Sequence, residues 1–192
     1  MGIIIRGMPR ENLVTLLRRH NSADAAEEAM LVQTLAFVEA EPQCLDAAFE
    51  PGHITGSAWI VDGGSVLLTH HRKLDRWFQL GGHLEPGETV AEGALREAVE
   101  ESGLAGLRLA SEAIFDVDVH LIPERGSAPA HLHHDIRFLI VRPAEDAALV
   151  GSSESRALAW VRLAETHRYN SSESIQRMVR KTVTAESESG HR

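Results

Sequence analysis

GHLEPGETVAEGALREAVEESGL, running from Gly82 to Leu104, is the stretch whose reading decides the fold. Thr89 followed three residues later by Glu92 is a capping-box signal, so a helix is expected to start at Thr89, and Gly103 is suited to end it. At about 100° per residue, Glu97, Glu100 and Glu101 fall within an arc of roughly 100°, with Ala91, Leu95, Ala98 and Val99 together on the opposite side. One face can pack on a sheet while the other presents three carboxylates. Like charges this close destabilise a bare helix, and a divalent cation removes the repulsion. Carboxylate oxygens are the ligands Mg²⁺ prefers, and Mg²⁺ commonly bridges to substrate phosphates. Gly93 lies on the carboxylate face one turn earlier, where it reads either as clearance for a ligand or as a tolerated glycine. The competing reading of the acidic cluster is a solvated helix face.

The surrounding spacing favours metal chemistry. Gly82, Glu88, Arg96, Glu97, Glu100, Glu101, Gly103 and Leu104 match the Nudix box, G-x5-E-x7-R-E-U-x-E-E-x-G-U with U apolar and bulky, so the chain resembles the Nudix hydrolase superfamily. Ala98 stands where a larger aliphatic residue is usual, and Leu80 replaces the proline that many members carry before Gly81 and Gly82. The resemblance implies an α/β (α+β) fold, an α/β/α sandwich around a mixed sheet. It also implies hydrolysis of the pyrophosphate linkage of a nucleoside diphosphate joined to another moiety, with Mg²⁺ or Mn²⁺ as cofactor. Carried onto this sequence, Glu100 and Glu101 become the first metal ligands and Glu97 a further ligand or the general base. Arg96 becomes a partner that holds a box carboxylate, Glu88 an orienter of the loop, and Gly82 a source of a ligating carbonyl. Two other functions fit the same resemblance: a module that senses a nucleotide without cleaving it, and an isomerase of isoprenoid diphosphates using metal, cysteine and glutamate.

A chain of 192 residues with 43% hydrophobic content suits one domain with elaborations. With no apolar run near the roughly 18 residues a membrane span needs, and no signal-peptide layout at the start, a soluble cytoplasmic protein is expected. Cys44 is the only cysteine, which excludes an intrachain disulfide and a cysteine-based zinc site. A formal net charge of -9 disfavours nonspecific binding to nucleic acid, so the expected partner is a small nucleotide or other diphosphate drawn in by a local basic patch or by metal.

Residues 1–50 read as a helical extension. Pro9 can open a helix with Leu13, Leu16 and Leu17 on one face; Ser22 or Asp24 can open a second carrying Leu31, Leu35 and Val38, and Pro42 stops it. These stripes need a partner surface, from which a homodimer is expected. Residues 51–185 read as the box-bearing domain and 186–192 as a frayed tail.

From His53 the hydrophobic period changes to two. HITGSAWIVD and SVLLTHH flank a hairpin turn at Gly63-Gly64, and RKLDRWFQLGG leads a strand into the box. Arg72, Lys73 and Arg76 make the densest local positive charge, read as a phosphate attractor or as a solvated loop, and Trp77 as a base-stacking platform or as core. After the box, AIFDVDVHLIP places Asp116, Asp118 and His120 on one face, and HHDIRFLIV places His133, Asp135 and Arg137 on one face. Pairing of these strands would gather carboxylates, imidazoles and a guanidinium into a cavity wall, with Asp118, His120, His133, Asp135 and Arg137 as substrate-binding candidates. A purely structural hydrogen-bond network is the alternative. HLHHD also carries zinc-ligand types, although one segment does not supply three ligands. ALAWVRL is expected as the last strand, followed by a helix from Ser172 with Ile175, Met178 and Val179 on one face.

Overall fold

The computed structural model describes residues 8–126, 129–142, 148–152 and 155–189. Two helices come first, α1 (Pro9–Arg19) and α2 (Ala25–Ala40). Pro9 occupies the first turn of α1, and the Asp24 side chain caps α2 by accepting from the Glu27 amide. Strands β1 (Gly52–Asp62) and β2 (Ser65–His71) form the expected hairpin; Gly63 and Gly64 both take positive φ, as its two-residue turn requires. Short strands β3 (Arg76–Phe78) and β4 (Leu80–His83) lead into the box helix, α3 (Val90–Ser102). Then follow β5 (Arg108–Leu109), β6 (Asp116–Ile122), β7 (His131–Val141), β8 (Ser155–Arg162), a 3-10 turn over Leu163–Arg168, and α4 (Glu173–Ser189). The brief β5 and the 3-10 turn carry no periodicity long enough to register in the sequence. Where fraying was expected from residue 186, α4 continues to Ser189; residues 190–192 lie outside the described residues.

The strands make one mixed sheet. β1 is its axis: it runs parallel to β7 from Gly52↔Leu132 to Val61↔Val141, and antiparallel to β2 and to β4. β6 pairs antiparallel with β7 in the register Asp116↔Arg137, Asp118↔Asp135 and His120↔His133, so the two polar faces do merge.

Helices cover both sides of this sheet, giving the three-layer arrangement. On one side Ile54, Ile136 and Phe138 of the sheet pack with Val90 and Ala94 of α3 and with Leu13, Leu17, Leu31 and Val38 of α1 and α2. On the other, Trp59, Val66, Leu68 and Val161 pack with Ile175 and Met178 of α4. Burying one such aliphatic side chain contributes about 1.5–3 kcal/mol. The stripes on α1 and α2 therefore have a partner surface within the chain and do not themselves require a second copy. Among the described residues, no helix is long and apolar enough to cross a membrane.

The packing of α3 departs from the helical-wheel expectation. Its buried positions are Val90, Gly93, Ala94, Ala98, Glu101 and Ser102, whereas Val99 is 40% exposed. Gly93 lies against Leu84, whose side-chain tip a Cβ there would meet at 2.5 Å. The sheet side of the contact is equally tight. A Cβ on Gly56 would lie 2.9 Å from the Val90 carbonyl oxygen and 3.1 Å from the Ala94 amide nitrogen, both backbone atoms that cannot rotate away. Gly56→Ala is accordingly expected to lower stability by about 1–3 kcal/mol, the usual range for overpacking, and thermal melting checks it. An unchanged melting temperature would mean that α3 does not sit this close to β1.

Candidate active site and polar wall

The box builds itself around Arg96. Thr89 and Glu92 form a reciprocal capping box, and Gly103 closes α3 with a left-handed φ of 70°. About two turns into this helix, Arg96 extends toward the end of β4, and Glu100 stands one turn beyond it. Arg96 Nε and Nη2 donate to the two Glu88 carboxylate oxygens at 2.9 and 3.1 Å. Its Nη1 donates to Glu97 Oε1 at 2.9 Å and to Glu100 Oε2 at 3.2 Å, and Nη2 also reaches the His83 carbonyl at 2.9 Å. The Arg96 hydrogen bonds hold the Glu88 carboxyl below the usual carboxylate range and push the Arg96 guanidinium still higher.

Gly82 and Gly81 are fitted to the carboxylates. A Cβ on Gly82 would lie 2.7 Å from the Glu97 carboxylate, so only glycine lets that group seat against the main chain. Gly81, at φ 150°, donates its amide to Glu101 Oε2 at 3.1 Å. Glu101 is thus buried and anchored, Glu97 half-buried, and the Glu100 side chain 59% exposed. Oxygen is the only donor this set offers, which suits a hard divalent cation.

A polar face lies on the opposite side of the sheet from α3, along β6 and β7. Arg137, 3% exposed, donates Nε to Asp135 Oδ2 at 2.8 Å and Nη1 to Asp116 Oδ2 at 3.0 Å, and its Nη2 lies 3.2 Å from Asp118 Oδ2. Asp135 also accepts from Thr55, Ser57 and Gln79. Helix α4 covers this end: Arg177 bonds both oxygens of Asp116 at 2.8 Å, and Lys181 reaches Asp116 at 3.0 Å and Glu27 of α2 at 2.5 Å. Burial alone would raise the Glu27 carboxyl, yet hydrogen bonds from His20, the Ala23 amide and Lys181 hold it at about 2. Burial likewise opposes ionisation of Asp118, and the His120 hydrogen bond with the Arg137 charge reverses it, holding that carboxyl far below its ordinary value. Asp135 and Arg137, expected to touch substrate, are therefore buried in a satisfied network beneath the wall. Asp118 and His120 stand nearer its open end, joined by His120 Nδ1 and Asp118 Oδ2 at 3.1 Å, with the His120 side chain 42% exposed.

Beyond them lies a group of imidazoles. His133 of β7 meets His53 of β1 and His83 at the end of β4, with ring centroids 4.6 and 5.4 Å away. Burial, reinforced by neighbouring imidazoles, lowers His53 to about 4 and His133 to about 3, so both rings are neutral at pH 7. His134 points to the opposite face, stacked on Phe37 at 4.3 Å and bonded to Thr34 at 3.0 Å, which makes it part of the α2 packing.

Other expected residues are elsewhere. Arg72 reaches the Ser155 carbonyl of β8 at 3.3 Å and Arg76 stands exposed at the head of β3, so their charge lies on the outer β2–β3 turn. Trp77 is already stacked on His70 and edge-on to Tyr169, leaving core rather than base stacking as its role. Cys44 is fully buried and burial pushes its thiol pKa up, which removes the nucleophile an isomerase of the kind considered would need. The residues not singled out from sequence are Gln79, Glu27, Arg177, Lys181, His53 and His83. For His53 a signal existed: with Thr55 and Ser57 it continues the polar alternation along β1.

A three-layer sandwich with this box defines a class. A family model described as NUDIX domain matches residues 53–181, more than half of the chain, and the chain belongs to the Nudix family. Its fold resembles that of an Ap4A hydrolase from C. elegans, with a TM-score of 0.53 at 16% identity over 70% of this chain and 97% of that one. It also resembles a MutT protein from Methanosarcina mazei Go1, with a TM-score of 0.52 at 20% identity over 72% of this chain and 99% of that one. With the family's box carboxylates all present, the chain is an enzyme, a pyrophosphohydrolase of the Nudix type.

Proposed function

We propose that this enzyme is a divalent-metal-dependent hydrolase that splits the pyrophosphate linkage of a nucleoside diphosphate derivative or a related diphosphate. The observation that carries the reading is the fit of Gly82 to Glu97, with Glu101 tied to the Gly81 amide. A glycine pair without side chains and a helix of carboxylates meet there, with the Glu97 carboxylate against Gly82 and the Glu101 carboxylate on the Gly81 amide. Glu97, Glu100, Glu101 and the Gly82 carbonyl would hold Mg²⁺ or Mn²⁺. Such an ion, when bound, neutralises pyrophosphate charge and acidifies a bound water. Arg96 fixes the carboxylates: its fork on Glu88 anchors the loop, and its contacts with Glu97 and Glu100 offset their mutual repulsion.

Discrimination among diphosphates is assigned to the polar wall, because the box serves the whole family. The network of Asp116, Asp135 and Arg137 holds the wall rigid from beneath, and Asp118 with His120 presents it. His120→Ala is expected to lower kcat/KM for the preferred substrate roughly tenfold or more, the cost of a lost hydrogen bond to a charged group, with melting temperature unchanged. A fall in melting temperature with full activity per folded molecule would make the pair structural. The function itself is tested by incubating the full chain, with Mg²⁺ or Mn²⁺, against a panel of nucleoside diphosphate derivatives and measuring nucleotide and phosphate release. Metal-dependent cleavage of at least one is expected. Binding without cleavage would make the chain a sensing module, and cleavage indifferent to added metal or chelator would remove the proposed role of the carboxylates.

A further inference from the structure

Gly52 sets up the imidazole group. A Cβ there would lie 2.6 Å from the Leu132 carbonyl oxygen, so glycine lets β1 and β7 close together and puts His53 beside His133 in the parallel register. His83 enters from the antiparallel side, opposite Thr55. The three rings are tilted to one another, not laid flat, and each offers a ring nitrogen within 4.8 Å of the other two. His53 is 2% exposed, and among the described residues neither of its ring nitrogens makes a hydrogen bond of full geometry, the Phe49 backbone being only a weak neighbour. An unsatisfied buried polar group costs stability, and a partner bound by the ring removes that cost.

The geometry points to a divalent transition-metal site formed by His53, His83 and His133, distinct from the box carboxylates, with Zn²⁺ the ion its donors suit. Imidazole nitrogen favours zinc and its borderline neighbours, whereas Mg²⁺ takes oxygen, so the two sets of ligands sort two kinds of ion. Three histidines leave a fourth tetrahedral position for an exogenous oxygen ligand. His131 supplies the outer support. Its Nδ1 lies 2.9 Å from the Pro129 carbonyl and so carries the hydrogen, while its Nε2 lies 3.2 Å from His133 Nε2. The Nε2 contact with His131 leaves Nδ1 of His133 for the ion, the way a neighbouring group commonly fixes a ligating histidine. The site also touches the box, since His83 directly follows Gly82 and its carbonyl accepts from Arg96. Filling it ties down the turn against which Glu97 is seated.

The test is a titration of the chelator-stripped full chain with Co²⁺, read by the intense visible absorption of tetrahedral cobalt, followed by displacement with Zn²⁺. One ion per chain is expected, not displaced by a large excess of Mg²⁺ and retained in the Glu100→Gln/Glu101→Gln double variant. His83→Ala and His133→Ala are expected to weaken binding at least about 100-fold, and His131→Ala about 10–100-fold, the range for loss of an outer partner. His83 is exposed at a strand end, so His83→Ala decides the matter even if His133→Ala fails to fold. Absence of tetrahedral absorption in the wild type, equal affinity in His83→Ala, or loss of the signal in the glutamate double variant would overturn the site. The readout is independent of hydrolysis: a chain that takes up Co²⁺ this way and cleaves no nucleotide keeps this site and loses only the proposed activity.

Discussion

Glu101→Gln is expected to lower turnover of the preferred diphosphate by about 10³-fold, the scale of several kcal/mol of charge stabilisation lost at the reacting phosphate. The variant is chosen for its economy. A glutamine carbonyl can still accept from the Gly81 amide, so the 3.1 Å bond that anchors this buried side chain is retained and only the negative charge is removed. Circular dichroism and melting temperature should match wild type while activity collapses, and raising Mg²⁺ or Mn²⁺ should recover part of the loss. Wild-type turnover in the folded variant would place the essential charge on other residues.

Glu27→Ala has the largest expected effect on stability. This carboxylate is buried beneath α2 and receives Lys181, His20 and the Ala23 and Val117 amides. Removing one member of a buried ionic network leaves the others uncompensated, which costs about 3–5 kcal/mol, and urea denaturation reads it directly. The pH dependence follows in sign. Held at about 2 in the folded chain against an ordinary 4.5, Glu27 binds its proton more readily when unfolded. Its contribution is full above about pH 4.5 and is lost as the pH falls toward 2, amounting to about 3 kcal/mol over that window. Glu27→Gln should therefore flatten the acid limb of the stability curve; an unchanged limb would mean that other carboxylates govern acid unfolding.

The box was fully legible in the sequence because its information is local. Cap, helix, terminating glycine and carboxylate spacing all lie between Gly82 and Leu104, and the Arg96 contacts join residues within thirteen positions of one another. Strand alternation likewise revealed that Asp116, Asp118 and His120 would share a face with His133, Asp135 and Arg137 once β6 and β7 paired. What alternation does not encode is depth. Which of those six is covered depends on α4 lying across the Arg137 end, brought there by Trp59, Ile175 and Met178. Nor does a helical wheel show that Glu101, not Val99, turns inward, because the close approach permitted by Gly56 sets that rotation. The stripes on α1 and α2 carry a similar ambiguity, because an apolar stripe does not say whose surface it meets.

The bond between Lys181 and Glu27 spans nearly the whole chain. Loop closure on this scale is entropically slow to reach, so the polar layer between α2, β6 and α4 cannot form from either end alone. Without α4, Asp116 keeps Arg137 of β7 as its cation and Glu27 keeps the His20 imidazole. Helix α4 adds Arg177 and Lys181 to them, and Lys181 bonds both carboxylates at once. Helix α4 thus acts as a clasp, fastening the first helices to the far side of the sheet through a single lysine.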